Sequence, residues 1–79
     1  MKIHVKLFAT LNRFSPGGLP GTLFDVELKE GATLQDLVNQ LGLPADETKV
    51  TFVNGIVQTL GYVLKPGDDT GIFPPIGGG

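Results

Sequence analysis

The chain has 79 residues, 41% hydrophobic and 18% charged, with a formal net charge of -2, which leaves room for one domain near the lower size limit for a core that folds unaided. No apolar run approaches the roughly 20 residues of a membrane-spanning helix, and the dispersed Lys and Arg give no electrostatic footprint for nucleic acid. The absence of cysteine excludes disulfides, thiolate metal sites and a thiol nucleophile, so any sulfur chemistry must use a partner's sulfur.

From the N-terminus, Lys2 to Phe8 alternates polar and apolar residues, with Ile3, Val5 and Leu7 in phase, the pattern of a half-buried strand. No basic, apolar and small-residue series of a secretory leader precedes it, so the expected compartment is the cytoplasm. Asn12 to Gly21 holds Pro16, Gly17, Gly18, Pro20 and Gly21 and is expected to be a loop without regular structure. Thr22 to Leu28 repeats the alternation, with Phe24, Val26 and Leu28 on one side, and predicts a second strand antiparallel to the first.

A helix is predicted from Leu34, because the Thr33 hydroxyl can accept from the Asp36 amide and Asp36 suits the positive first turn. Leu34, Leu37, Val38 and Leu41 make one apolar stripe at helical spacing, and Gly42 is placed to end the helix in a left-handed conformation. Ala45 to Thr48 suits a short turn of helix. Val50 to Val53 is β-branched and aromatic, Asn54-Gly55 favours a tight hairpin, and Ile56-Val57 forms the return strand. Lys65-Pro66-Gly67-Asp68 fits a type II turn before a last strand from Asp69 to Phe73. This order of elements predicts an α+β fold, a β-grasp or ubiquitin-like arrangement: a mixed sheet of four to five strands with one main helix on one face and the first and last strands parallel at its centre.

The chain then runs through Phe73-Pro74-Pro75-Ile76 to Gly77-Gly78-Gly79, and the expected division is a domain over residues 1–76 and a flexible glycine tail over 77–79. Two prolines favour an extended path away from the body, and glycines pass through a channel only as wide as a peptide. From Pro74 to Gly79 an extended chain reaches at most about 20 Å, enough to thread a buried pocket while the domain docks outside.

Taken together, Lys2-Ile3-His4-Val5-Lys6-Leu7-Phe8-Ala9, Glu30-Gly31-Ala32-Thr33-Leu34-Gln35-Asp36-Leu37, Phe52-Val53-Asn54-Gly55, Leu64-Lys65-Pro66-Gly67-Asp68-Asp69 and the closing Ile72-Phe73-Pro74-Pro75-Ile76-Gly77-Gly78-Gly79 give a chain that resembles the MoaD/ThiS family of ubiquitin-like sulfur carriers. The MoaD branch, the small subunit of molybdopterin synthase, is the nearer one. The resemblance implies that a ubiquitin-activating-like partner adenylates the Gly79 carboxylate with ATP and that a sulfur donor converts it to a thiocarboxylate. It further implies that Gly77 and Gly78 thread the active site of a molybdopterin synthase large subunit, where sulfur passes to a pterin precursor of a molybdenum or tungsten cofactor. On this reading the chain is a co-substrate with no catalytic residue, no metal site and no cofactor of its own; ATP is bound only through the activating partner. Alternative readings are a sulfur carrier for thiamine thiazole, an amino acid or tRNA, a protein modifier that joins Gly79 to a lysine, and a plain interaction module with an inert tail.

Phe73 falls out of phase with Thr70 and Ile72 and is expected on the outer face of the sheet. There it would form, with Pro75, Ile76 and Val53, an apolar partner-binding patch beside the tail; the alternative is that Phe73 only covers its own sheet. The bulk-poor Thr70-Gly71 pair is expected to thin the sheet edge. His4 is expected as an ordinary surface residue, Asp68-Asp69 as turn chemistry, and Asp46-Glu47 as a solvated patch.

Overall fold

The computed structural model describes residues 1–18 and 21–75. Five strands, β1 (Lys2–Leu7), β2 (Phe24–Glu27), β3 (Val50–Val53), β4 (Ile56–Val57) and β5 (Asp69–Phe73), form one sheet in the order β2-β1-β5-β3-β4. β1 and β5 run parallel at its centre, with Val5 opposite Thr70 and Leu7 opposite Ile72, and the other pairings are antiparallel. The mixed sheet with one helix expected from the sequence is the observed fold.

The helix α1 (Leu34–Leu41) is closed at both ends as its sequence requires. The Thr33 hydroxyl accepts from the Asp36 amide at 3.2 Å, the Asp36 carboxylate accepts in return from the Thr33 amide at 2.9 Å, and Gly42 turns left-handed with φ 72°. This reciprocal cap satisfies two of the amide donors that a helix N-terminus otherwise leaves open. Leu34, Leu37 and Val38 then bury their stripe against Ile3, Val5, Leu7 and Ile72 of the sheet, all within the core. Full burial of a Leu or Ile side chain contributes about 1.5–3 kcal/mol relative to leaving it in water.

Turn chemistry locks the far end of the hairpin. Asn54 and Gly55 both take positive φ, 52° and 82°, and the Asn54 side chain bridges to the next turn: its amide nitrogen donates to Asp68 Oδ1 at 3.0 Å, and its oxygen accepts from the Asp69 amide at 2.9 Å. Asp68, buried, also accepts from the Lys65 amide at 2.8 Å, and the Asp68 amide donates to the Lys65 carbonyl at 3.1 Å, closing the turn in which Gly67 has φ 83°.

Two expectations need correction. The segment after β1 is not structureless: Ala9–Phe14 and Pro16–Gly18 form short 3₁₀ turns. Proline and glycine forbid a long helix, but they permit single turns, and the fully buried Leu11 anchors this one in the core. The expected thinning at Thr70-Gly71 does not fall on a sheet edge either, because β5 is flanked by β1 and β3. Thr70 is buried, its hydroxyl donating to the His4 carbonyl at 2.9 Å, and the space over Gly71 is taken by an aromatic ring from β1's end.

Candidate docking face and tail root

On the face opposite α1, the strand alternation puts charged groups at one end and rings at the other. Near the start of β1, Glu27 and Asp25 of β2 stand opposite Lys2 and His4, with His4 Nδ1 2.6 Å from Asp25 Oδ1 and Lys2 Nζ 4.0 Å from Asp25 Oδ2. His4 is thus half-buried in a cross-strand pair. Among the described residues no cluster of His, Cys, Asp and Glu is arranged to hold a metal ion.

Toward the exit of β5 the face turns apolar. The Phe8 and Phe73 rings are stacked with centroids 4.1 Å apart and planes within 1°, and the Phe52 ring meets Phe73 edge-on at 5.6 Å. The edge-on pair sets the positive rim of one ring against the negative face of the other. All three rings are half-buried. Two grooves flank them. One, of about 600 Å³, lies between Ala9, Thr10, Val50, Phe52, Phe73, Pro74 and Pro75; the other, of about 500 Å³, is bordered by Lys6, Phe8, Leu23, Phe52, Asp69, Gly71 and Phe73. Leu23 is 52% exposed and Val57, opposite Phe52 on the edge strand, 62%, so the apolar area extends to both sides of the rings.

The structure places Phe73 on this face, as its phase in β5 requires, and Pro75 exposed beside it. Phe73 covers its own sheet through the ring cluster and also lines both grooves. Val53 does not join them. It is 2% exposed and part of the core, because it alternates with Phe52 along β3 and the inward phase belongs to Thr51 and Val53; a partner cannot reach its side chain. Ile76, Gly77, Gly78 and Gly79, and with them the division at residue 76, lie outside the described residues.

Phe8, Phe52, Leu23 and Gly71 belong to the face but were not expected there. The signal for Phe52 is the same alternation that buries Val53. For Phe8 no local signal exists: it adjoins Phe73 only because β1 and β5 are in parallel register, Leu7 beside Ile72.

The groove at the tail's base has one charged brace. Arg13 donates to Glu47 through Nη1 at 3.0 Å and Nη2 at 2.7 Å, donates to the Thr10 carbonyl at 2.7 Å, and lies over the Phe14 ring at 4.6 Å. Hydrogen bonding to Arg13 holds the Glu47 carboxyl below the usual carboxylate range, and the same contact raises the Arg13 guanidinium further. Glu47 is therefore not the simple solvated residue its neighbourhood in sequence implies: it ties Ala45–Glu47 to Ala9–Phe14, which forms one groove wall.

The sequence model of the family described as Mut7-C ubiquitin matches residues 1–76. No curated protein matches the chain. Among solved structures, SAMP1 of Haloferax volcanii is similar at 25% identity and a TM-score of 0.71, with 100% of each chain covered. A protein described as molybdopterin converting factor subunit 1 from Pyrococcus furiosus is 29% identical, with a TM-score of 0.72 over 95% of this chain and 98% of that one. A chain of the complex of subunits 1 and 2 of molybdopterin-converting factor from Helicobacter pylori shares the fold, at 20% identity, a TM-score of 0.63 and 100% coverage of both chains.

Proposed function

The chain belongs to the Mut7-C ubiquitin family, and from that premise we propose that it is a ubiquitin-like sulfur carrier, loaded and unloaded at Gly79 by other proteins. The resemblance to MoaD-type carriers read from the sequence agrees with the likeness to the molybdopterin converting factor subunit of Pyrococcus furiosus. The observation that carries the reading is the tail root: β5 leaves the centre of the sheet through Phe73 and two prolines, beside an open aromatic face. A partner that covers Phe52, Phe73 and Pro75 receives the chain that follows them.

The chemistry proceeds in steps that the carrier does not catalyse. The Gly79 carboxylate oxygen attacks the α-phosphorus of ATP on the activating enzyme, and pyrophosphate leaves. The terminal sulfur of a donor persulfide then attacks the acyl carbon and AMP leaves; a thiol cleaves the resulting sulfur–sulfur bond, becoming part of a disulfide and leaving the thiocarboxylate on Gly79. Gly77 and Gly78 pass through the recipient's channel because they have no side chain. Delivery to a pterin precursor, with Phe73, Pro75 and Ile76 against a synthase large subunit, is the recipient reading we favour.

A second reading, in which Gly79 forms an amide with a lysine of another protein, rests on the likeness to SAMP1, a small archaeal modifier protein. Both begin with the same adenylate. Intact-mass measurement on protein from its native host separates them: a gain of about 16 Da on a chain ending at Gly79 is the exchange of oxygen for sulfur, whereas high-mass conjugates indicate modification. Removal of Gly78 and Gly79 should leave folding intact and abolish ATP-dependent adenylation by the cognate enzyme. Undiminished adenylation would refute the proposal.

A further inference from the structure

We propose that Phe8 is a positioning residue for the tail: laid across Gly71 and stacked on Phe73, it sets the direction in which β5 leaves the sheet. Three independent features converge on this ring. Its stack on Phe73 is nearly parallel, with centroids 4.1 Å apart and planes within 1°. A Cβ on Gly71 would stand 3.3 Å from Phe8 Cε2, closer than most such contacts, so a side chain there would push the ring from its present seat by a few tenths of an ångström. On its other rim, Gly21 faces Phe8 Cε1, where a Cβ would stand at 3.8 Å.

The backbone holds the ring there. The Phe8 amide donates to the Ile72 carbonyl at 3.1 Å, which ties the end of β1 to the residue before Phe73. Ala9, immediately after it, has φ 51°, a left-handed conformation that a residue with a Cβ adopts only at a cost. That bend turns the chain from β1 into Ala9–Phe14 and puts Ala9 and Thr10 on one wall of the groove whose other wall includes Pro74 and Pro75. The ring thus joins the residue that follows β1 to the last residue of β5. A glycine at 71 within a central strand gives up side-chain packing and backbone order; covering it with the Phe8 ring restores contact and spends it on the tail root.

The prolines carry this orientation outward. Each fixes its own φ, so fewer backbone rotations are left after Phe73 to absorb a tilt of that residue. Phe8 therefore acts on the tail through Phe73 and the prolines.

The test uses the full chain and exploits its lack of cysteine. Spin labels at Ile76→Cys and Lys29→Cys, the second on an exposed turn, report the direction of the tail root as a distance distribution. We expect Phe8→Ala to broaden that distribution while the amide spectrum of the α1 and β1–β2 core remains folded, and Phe8→Tyr, which keeps the stack, to restore it. Gly71→Val approaches from the other side, improving strand propensity while displacing the ring, and should broaden it as well. An unchanged distribution in both Phe8→Ala and Gly71→Val overturns the inference.

The kinetic arm rests on the carrier reading. In unlabelled protein, Phe8→Ala should lower kcat for adenylation about tenfold, as a misdirected reactant does, with little change in KM; a rise in KM alone would make Phe8 a contact for the partner and overturn the positioning role. Absence of adenylation in the unaltered chain would sink the carrier reading and leave the distance measurement to decide on Phe8.

Discussion

The two faces of one sheet are apolar for different purposes. Toward α1, Ile3, Val5, Leu7 and Ile72 are fully buried under Leu34 and Leu37. On the other face Phe8, Phe52 and Phe73 remain half-exposed, and Leu23 and Val57 more so, with grooves on both sides of the rings. A closed face supports the fold; on the carrier reading proposed above, the open aromatic end of the other face, beside the exit of β5, is the surface a partner would cover. Equivalent truncations on the two faces should therefore be read by different instruments.

The largest effect on stability is expected from the closed face. Ile72→Ala should cost about 2–5 kcal/mol in chemical denaturation, since the cavity it leaves lies between α1 and the sheet. Phe52→Ala, one strand away on the open face, should cost less stability than Ile72→Ala but weaken partner binding by at least about 2 kcal/mol, as central aromatic anchors do. The comparison breaks if calorimetry shows Phe52→Ala to be the more destabilising of the two, or if binding ignores it. Thr33→Ala removes half of the cap on α1 and should lower stability by about 1 kcal/mol, read as a shift in the denaturation midpoint without a change in partner affinity.

The smallest effect belongs to the brace between Ala9–Phe14 and Ala45–Glu47. Because Glu47 titrates lower in the folded chain than when unfolded, the Arg13 contact contributes fully above the ordinary carboxylate range and is lost as pH falls through the lowered folded value. Thermal melts of the unaltered chain and Glu47→Gln should differ slightly at neutral pH and converge on acidification. High salt should narrow the difference, since both side chains are at the surface. A gap that widens in acid would contradict the assignment.

Much of this was legible along the chain. Alternation gave β1 and β2, helical spacing with Thr33 and Gly42 gave α1 and its ends, and Asn54-Gly55 gave the hairpin, each through interactions between residues a few positions apart. The resemblance to ubiquitin-like carriers likewise rested on short runs and agrees with the family that matches. Val53 was misplaced because an apolar residue beside an exposed one differs from it only in phase, and phase is fixed by which neighbour the helix covers. Asn12 to Gly21 was misjudged because Pro and Gly signal the absence of a long helix, while the burial of Leu11 decides that a single turn forms.

Sequence alone therefore determined the strands, the main helix with its caps, the hairpin turns, and the slender composition of the last residues, because these depend on local backbone preference and periodicity. The tertiary structure decided which rings meet. Phe8 and Phe73 are 65 positions apart, and only the parallel register of β1 on β5 sets one ring on the other with Gly71 beneath; that register is a property of the closed sheet and its core, which no local stretch of the chain encodes.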